Sequence, residues 1–249
     1  MAVVTLTQAS LSGRTGRGVS IAVIDSGIHG THPHVEQVAV GVSFDDEGRI
    51  GGDIGDRLGH GTAVAAAIHE KAPDAVLVAV KVFDRALSTT GRALVDAMRW
   101  AAGSRASIIN LSLGTTNHDH EADLAAAVAD ATAKGAIVIA AAPHAGLRWL
   151  PGALSGVLGV ESDADLPRDV CRIERRPDGA IRAHASALPR PIPGVPPARN
   201  VQGPSFAVAN TTGLVALAIE GEPARTIDEL FERLYRGRDE GGTMPLMRK

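Results

Sequence analysis

The chain of 249 residues is 45% apolar and 21% charged, and its formal net charge at pH 7 is −3. This length fits one α/β domain or two small ones, and the near-neutral charge predicts neither a nucleic-acid partner nor an anionic-membrane partner. The apolar runs are much shorter than the roughly 20 residues of a membrane span, and residues 1–18 lack the basic and apolar segments of a signal peptide, so we expect a soluble, cytoplasmic protein.

The first two thirds of the chain alternate predicted strands and helices. Compact apolar runs with β-branched residues predict strands, and apolar residues at helical spacing predict helices. In chain order these are strands 19–25 and 38–44, a loop over 45–59, a helix opening at His60, strand 75–83, helix 91–103, strand 106–113, helix 121–134, and strands 136–142 and 156–160. Such alternation predicts a three-layer α/β fold, with a mostly parallel central sheet and helices on both faces.

The last third of the chain has a different character. Residues 169–186 form two alternating arms around Pro-Asp-Gly, which predicts a β-hairpin. Five prolines within 188–197 exclude a regular element there. A small-residue helix is expected after Ser205 and an amphipathic helix over 226–235. With no internal repeat and no linker, we predict a single domain over 1–236 and a flexible tail over 237–249.

Three segments place reactive side chains where such folds gather their active groups, at the carboxyl ends of strands and the starts of helices. Asp25 ends the strand in VIDSGIHGTHP, His60 opens the helix in GHGTAVAAAI, and Ser205 opens the helix in GPSFAVANTTGLVAL. Taken singly, each has a purely structural interpretation: a turn at a strand end, a histidine at a helix start, and a serine N-cap. Together they suggest an activated serine, because a serine hydroxyl needs an adjacent base to become a nucleophile.

The three segments belong to a longer series that resembles the subtilases, the subtilisin-like serine peptidases, in which the chain order is Asp, His, Ser. The matching motifs are Asp25-Ser26-Gly27 with His32-Pro33, His60-Gly61-Thr62, Ile109 to Gly114, Ala140 to His144, and Gly203 to Ala207. They occur in family order from about residue 18 to residue 220. Any one motif is a weak signal, but five in order make a chance resemblance untenable.

The resemblance implies a subtilisin-like fold and a role for each residue. Ser205 would be the nucleophile, His60 the general base, and Asp25 the group that orients the imidazole. A peptide or protein substrate would be the partner, with no cofactor. The residues implied to pair with the substrate backbone and to wall its main side-chain pocket are Ser112, Leu113 and Gly114.

The chain departs from the family pattern around the reacting serine. His144, after Pro143, stands where the family has its oxyanion asparagine, and Pro204 replaces a threonine. A histidine can donate an N–H, so His144 is either a substitute oxyanion donor or a loop histidine that points elsewhere. Proline is tolerated at a helix entrance, so the fold need not suffer. Val208-Ala209-Asn210 replaces Ser-Pro-His, which we expect to alter the packing at the helix start.

The sequence predicts no metal site and no reactive thiol. The helix after His60 lacks the insert that carries a strong calcium site in secreted bacterial relatives, and we expect no inhibitory propeptide before the core. The acidic residues within 45–53 match no ligand spacing and favour a solvated loop. Cys171, the lone cysteine, can form no internal disulfide, and it has no accompanying motif that would make it catalytic.

Two functions follow, and a third is disfavoured. The first is an intracellular serine endopeptidase that acts through an acyl-enzyme on Ser205, as a dedicated processing enzyme for one precursor. The alternative, suggested by the changes at Pro143, His144 and Pro204, is a weak or inactive pseudopeptidase that binds peptides. A nucleotide-binding protein is disfavoured because no phosphate-binding glycine motif is present. The cleavage specificity, the physiological substrate, the regulation and the oligomeric state stay open.

Overall fold

The computed structural model describes residues 2–35, 38–142, 147–196 and 199–240. These residues form a three-layer structure of strands and helices. The strands are β1 (Ala2–Thr7), β2 (Ser20–Asp25), β3 (Val38–Phe44), β4 (Ile50–Gly51), β5 (Val76–Lys81), β6 (Ile108–Leu111), β7 (Ile137–Ala141), β8 (Val157–Ser162), β9 (Val170–Arg175) and β10 (Ile181–Ala185). The helices are α1 (His60–Lys71), α2 (Gly91–Gly103), α3 (Glu121–Ala133), α4 (Pro204–Ile219) and α5 (Ile227–Glu240).

All of these strands belong to one twisted sheet with a parallel centre. Their order is β1-β9-β10-β8-β7-β6-β2-β5-β3-β4. From β10 across to β3 the neighbouring strands run parallel, whereas β1, β9 and β4 pair antiparallel towards the edges. The predicted fold class is therefore confirmed, and the predicted hairpin is the antiparallel pair β9 and β10.

The central strand β2 is buried on both faces. Ile21 and Val23 pack towards α1 and α4, in one hydrophobic cluster. Ala22 and Ile24 point to the opposite face, into a second cluster with α2 and α3. Because side chains alternate along a strand, a run with no polar residue is what a sheet covered on both faces requires.

The register of the sheet sets the position of the site. Ile24 of β2 lies opposite Leu111 of β6, so the residues that follow, Asp25 and Ser112, emerge at the same carboxyl edge. Helix α4 begins at Pro204, and every residue from 206 to 219 is buried. A helix that is buried on all sides lies in the interior of the fold, and its amino end brings Ser205 to this edge.

Three features differ from the sequence predictions. Strand β1 was not predicted, because its stability depends on antiparallel pairing with β9, which is distant in sequence. The short strand β4 lies inside the predicted loop and pairs with the end of β3. Helix α5 continues to Glu240, past the end of the helix predicted over 226–235, since a single Gly237 costs only about 1 kcal/mol inside a helix. Residues 241–249 lie outside the described residues.

None of the described helices combines the length and the apolar composition that crossing a bilayer requires.

Candidate active site

Asp25 and His60 form a closely coupled pair at the carboxyl edge of the sheet. Asp25 is completely buried, and its Oδ1 lies 2.7 Å from Nδ1 of His60. The same oxygen accepts the backbone N–H of Ser26, also at 2.7 Å. A carboxylate beside Nδ1 holds the proton on that nitrogen, so Nε2 of the neutral imidazole is left as the basic atom.

The surroundings make the imidazole of His60 a stronger base than a free histidine. Burial lowers its pKa, because a buried cation loses hydration. The hydrogen bond and charge of Asp25, with a further contribution from the charge of Asp56, outweigh burial, and the pKa of His60 is raised above 6.5.

Two glycines allow α1 to start against the loop that follows β2. A Cβ atom on Gly61 would lie 2.2 Å from the carbonyl oxygen of Gly27 and 3.1 Å from Oδ1 of Asp25. No side chain fits in that space, so the closeness of His60 to Asp25 depends on glycine at position 61. Gly27 has a φ of 99°, a conformation that favours glycine.

Asp56 caps α1 from the preceding loop, a role that the sequence analysis missed. The residue at the N-cap position of α1 is Gly59, which has no side chain that could accept a hydrogen bond from the first N–H groups of the helix. The half-buried carboxylate of Asp56 instead accepts five hydrogen bonds, from Ser26 Oγ, the backbone N–H groups of Leu58, Gly59 and Thr62, and Thr62 Oγ1. Ser26 Oγ also accepts the N–H of Gly61, so one network ties the Asp25 loop to the start of α1.

The cap could have been predicted from the sequence, because Asp56 is an acid four residues before His60, where α1 begins. Burial raises the pKa of Asp56, but the hydrogen bonds from Thr62 and Ser26 outweigh burial and lower the pKa below its usual range. Asp56 is therefore a carboxylate at neutral pH, and its charge suits the positive end of the helix dipole.

Ser205 lies in the first turn of α4, and Pro204 does not disturb it. Pro204 occupies the helix entrance, and Gly203 before it is extended, with a φ of 166°. The hydroxyl of Ser205 donates to the carbonyl oxygen of Ser112 at 3.0 Å, and the hydroxyl of Ser112 donates to the carbonyl oxygen of Ser205 at 3.1 Å. The backbone N–H of Ser205 belongs to the turn whose N–H groups lack intrahelical acceptors.

Buried side chains hold the exit of β6 against α4. Asn110 is fully buried, and its amide donates to Oγ of Ser112 at 3.1 Å. Thr212, two turns into α4, donates to the Asn110 side-chain oxygen at 2.9 Å. The chain of bonds from Thr212 through Asn110 and Ser112 to Ser205 fixes the distance between strand and helix.

A cavity of about 570 Å³ brings the predicted residues together. It is lined by His60 and Ser205 and by all three predicted substrate-binding residues, Ser112, Leu113 and Gly114. Its other walls are largely apolar and include Phe83, Leu94, Leu124 and Trp149. Such a cavity can accept apolar side chains beside a reactive hydroxyl. The predicted oxyanion donor, His144, lies outside the described residues, as does Pro143.

A buried lysine links the two helices that carry His60 and Ser205. Lys71 of α1 is 2% exposed, and its Nζ donates to Oδ1 of Asn210 of α4 at 2.7 Å. The amide of Asn210 donates in turn to the carbonyl oxygens of Ser186 and Leu188. Burial is the main cause that lowers the pKa of Lys71 from 10.5 to about 8. Asn210 is one of the residues that depart from the family motif.

The remaining reactive and acidic residues have structural surroundings. Cys171 is fully buried, and burial raises the pKa of its thiol to about 12, so it is no nucleophile at neutral pH. In the acidic loop, Asp45 and Glu47 bind Arg49, and Asp53 binds Arg57. The described residues contain no cluster of three or more His, Cys, Asp or Glu side chains placed to hold a metal ion.

The sequence model of the Subtilase family matches residues 16–146 of the chain. The thermostable alkaline protease of Halalkalibacterium halodurans is 30% identical over 238 residues, covering 91% of this chain and 64% of that protein. Subtilisin Savinase of Lederbergia lenta is 37% identical over 145 residues, covering 54% of this chain and 51% of that protein. The chain thus spans less than two thirds of the length of these curated relatives.

Solved structures agree in fold. The crystal structure of MycP1 from Mycobacterium smegmatis has a TM-score of 0.68 at 23% identity, and the match covers 91% of this chain and 75% of that one. A mostly parallel sheet with Asp25, His60 and Ser205 at its carboxyl edge, in that chain order, defines a subtilisin-like α/β protein. The chain belongs to the subtilase family, as the match to residues 16–146 establishes.

Proposed function

We propose that the chain is a serine endopeptidase that cleaves peptide bonds through an acyl-enzyme on Ser205. The observation that carries this proposal is the buried Asp25, 2.7 Å from His60, in a site whose cavity also contains Ser205. A raised pKa of His60 and a basic Nε2 suit it to accept a hydroxyl proton.

The proposed reaction has two halves with balanced proton movement. Ser205 Oγ attacks the substrate carbonyl carbon while its proton passes to Nε2 of His60, giving a tetrahedral oxyanion. As the C–N bond breaks, His60 returns that proton to the leaving amine, and an ester on Ser205 remains. Water then attacks the ester by the same route. In the resting site the Ser205 hydroxyl bonds Ser112, so it must rotate towards His60 before attack.

The oxyanion would be held by the backbone N–H of Ser205, with His144 proposed as the second donor. Loss of one such donor lowers kcat by about 100- to 1000-fold, a magnitude established on subtilisin itself. We expect His144→Ala to show a loss of this size and His144→Asn to keep activity with a changed pH profile. Equal loss in both variants would show that His144 is not the donor.

A second candidate is a peptide-binding module with little turnover. The observation that favours it is that the Ser205 hydroxyl donates to the Ser112 carbonyl rather than to the imidazole. In this case the same cavity would hold a peptide without cleaving it, and Ser205→Ala would leave peptide binding unchanged.

A serine-directed fluorophosphonate probe separates the two candidates. Labelling of the wild type that is absent in Ser205→Ala and in His60→Ala supports the peptidase. Lack of labelling at every pH between 5 and 10, with peptide binding retained, supports the binding module. The matched control is Ser155→Ala, because Ser155 is exposed and distant in sequence from all three residues.

The intracellular location and the role in processing one precursor are also part of this proposal. Fractionation of the native cells, with detection of the full-length chain, tests the location. Comparing the cell proteomes with and without active Ser205 tests the role, since a dedicated enzyme leaves one or a few new amino termini and a general protease leaves many.

A further inference from the structure

A second cavity of about 290 Å³ lies beside the first. Phe206, the residue after Ser205, lines it, and the Phe206 ring centroid is 6.3 Å from that of His60. One wall is the start of α1 with the loop before it, and the other includes Pro189, Arg190, Ile192, Asn200 and Val201. The second cavity lacks the strand exit Ser112 to Gly114, which lines the first cavity.

The position of the second cavity suits the leaving half of a substrate. His60 would protonate the leaving nitrogen, so that half must depart past the start of α1. The acyl half stays bonded to Ser205, beside Ser112 in the first cavity. The residues that follow the scissile bond would therefore lie against Phe206 in the second cavity.

Hydrogen-bond donors dominate the polar lining of the second cavity. It includes His29, His32, His34 and Arg190. Nδ1 of His32 accepts the backbone N–H of His34 at 3.2 Å, so the ring proton of neutral His32 is on Nε2, which is then a donor. Arg190 uses Nη1 to bond the carbonyl oxygen of His34 at 3.2 Å. Its other N–H groups have no acceptor among the described residues.

The acids near Arg190 are already engaged. Asp56, the acid in the lining, accepts the five hydrogen bonds that cap α1. Glu70 is paired with Arg168, and its carboxylate is 3.5 Å from Nζ of Lys71. Burial raises the pKa of Glu70, but Arg168, Lys71 and Arg190 outweigh burial and lower it, so Glu70 offsets part of the charge of Arg190. Burial and then the charge of Arg190 lower the pKa of His34, while the charge of Glu70 acts in the opposite direction.

We propose that the second cavity binds the first two residues of the leaving half of the substrate and selects a side-chain carboxylate there, through Arg190 and His32. This inference rests on the proposed peptidase activity and names the class of substrate: peptides with Asp or Glu just after the scissile bond. Charge-assisted bonds from a guanidinium and an imidazole favour a carboxylate over an amide or an ammonium group.

The test uses matched peptides that differ only in the two residues after the cleaved bond. We expect kcat/KM for Asp or Glu to exceed that for Lys by about tenfold or more, and Arg190→Glu to reverse the preference. The preference is the ratio of kcat/KM for acidic and lysine peptides on the same variant. A misfolded fraction lowers both values equally, so it does not change the ratio. Arg17→Glu is the control, because Arg17 is exposed before the amino end of β2 and makes the same charge change. Equal rates for acidic and lysine peptides, or an unchanged preference in Arg190→Glu, would overturn the proposal.

Calorimetry with product peptides, whose amino terminus is the leaving residue, separates this inference from the peptidase proposal. Acidic product peptides should bind the wild type about tenfold more tightly than lysine ones, and Arg190→Glu should remove the difference. If the fluorophosphonate probe fails but this preference is seen, the peptidase proposal falls and the cavity assignment stands. If the probe labels Ser205 but both products bind equally, the cavity assignment is wrong.

Discussion

Ser205 and Ser112 exchange hydrogen bonds, since the hydroxyl of each donates to the main-chain carbonyl oxygen of the other, at 3.0 and 3.1 Å. This pair joins the first turn of α4 to the exit of β6. These bonds therefore fix the strand β6, which would hold a substrate, directly against the helix α4, which carries the nucleophile.

Ser112→Ala tests how much the pair contributes to stability. The change leaves the carbonyl oxygen of Ser205 and the amide of Asn110 each without one partner in a buried region. We expect the free energy of unfolding to fall by about 1–3 kcal/mol, measured by urea denaturation. Ser155→Ala, at an exposed position, should stay within about 0.5 kcal/mol of the wild type. Equal effects would contradict a structural role for the pair.

The pH dependence of activity should report the raised pKa of His60. A general base must be neutral, so kcat/KM should rise with pH around a midpoint above 6.5. In Asp25→Asn the favourable charge is gone and burial remains, so the midpoint should move down while kcat falls by about 10⁴-fold. The rate of fluorophosphonate labelling against pH measures the midpoint, and hydrolysis of a peptide substrate measures kcat. A wild-type midpoint at or below 6.5 would count against the pair as described.

Asp56→Asn should weaken the start of α1. The amide keeps one acceptor oxygen, loses the charge, and turns an NH₂ group towards backbone donors. We expect a loss of about 1–3 kcal/mol in the free energy of unfolding and a lower midpoint for His60, since the Asp56 charge helps to raise that pKa. Asp53→Asn is the control, because Asp53 is exposed and its replacement should leave the free energy of unfolding close to that of the wild type. Similar losses in the two variants would exclude the capping role.

Lys71→Met should change how stability depends on pH. The pKa of Lys71 is about 8 in the folded protein and near 10.5 in an unfolded chain. Between these values the unfolded chain binds a proton that the folded chain does not, so the wild type should become more stable as pH rises, by up to about 3 kcal/mol. The difference in unfolding free energy between wild type and Lys71→Met, measured from pH 7 to 10.5, isolates this contribution. A difference that does not vary with pH would refute it.

Local patterns predicted most of the sheet and helices. Residues 91–103 were predicted as a helix and form α2, because Thr90 caps it and accepts the N–H of Ala93. Residues 38–44 were predicted as a strand and form β3 with the same bounds. In both cases the pattern that matters lies within one short stretch of sequence.

Contacts between distant segments were not predictable in this way. Lys71 and Asn210 are 139 positions apart, and neither residue suggests a buried partner by itself. Asp56 was within reach of prediction, since it precedes a helix start, but the bond from Ser26 requires the fold. The direction in which Ser205 donates its hydrogen bond likewise depends on the carbonyl of Ser112, which β6 brings to it.

The burial of α4 has a consequence for how the protein would lose activity. Residues 206–219 of this helix are surrounded by the core on all sides, and Ser205 precedes them directly. The nucleophile is thus attached to the part of the chain that opens last, and not to a loop that can fray by itself. Heat inactivation and global unfolding should therefore coincide as one cooperative transition, with no partly folded state in which the nucleophile alone is displaced.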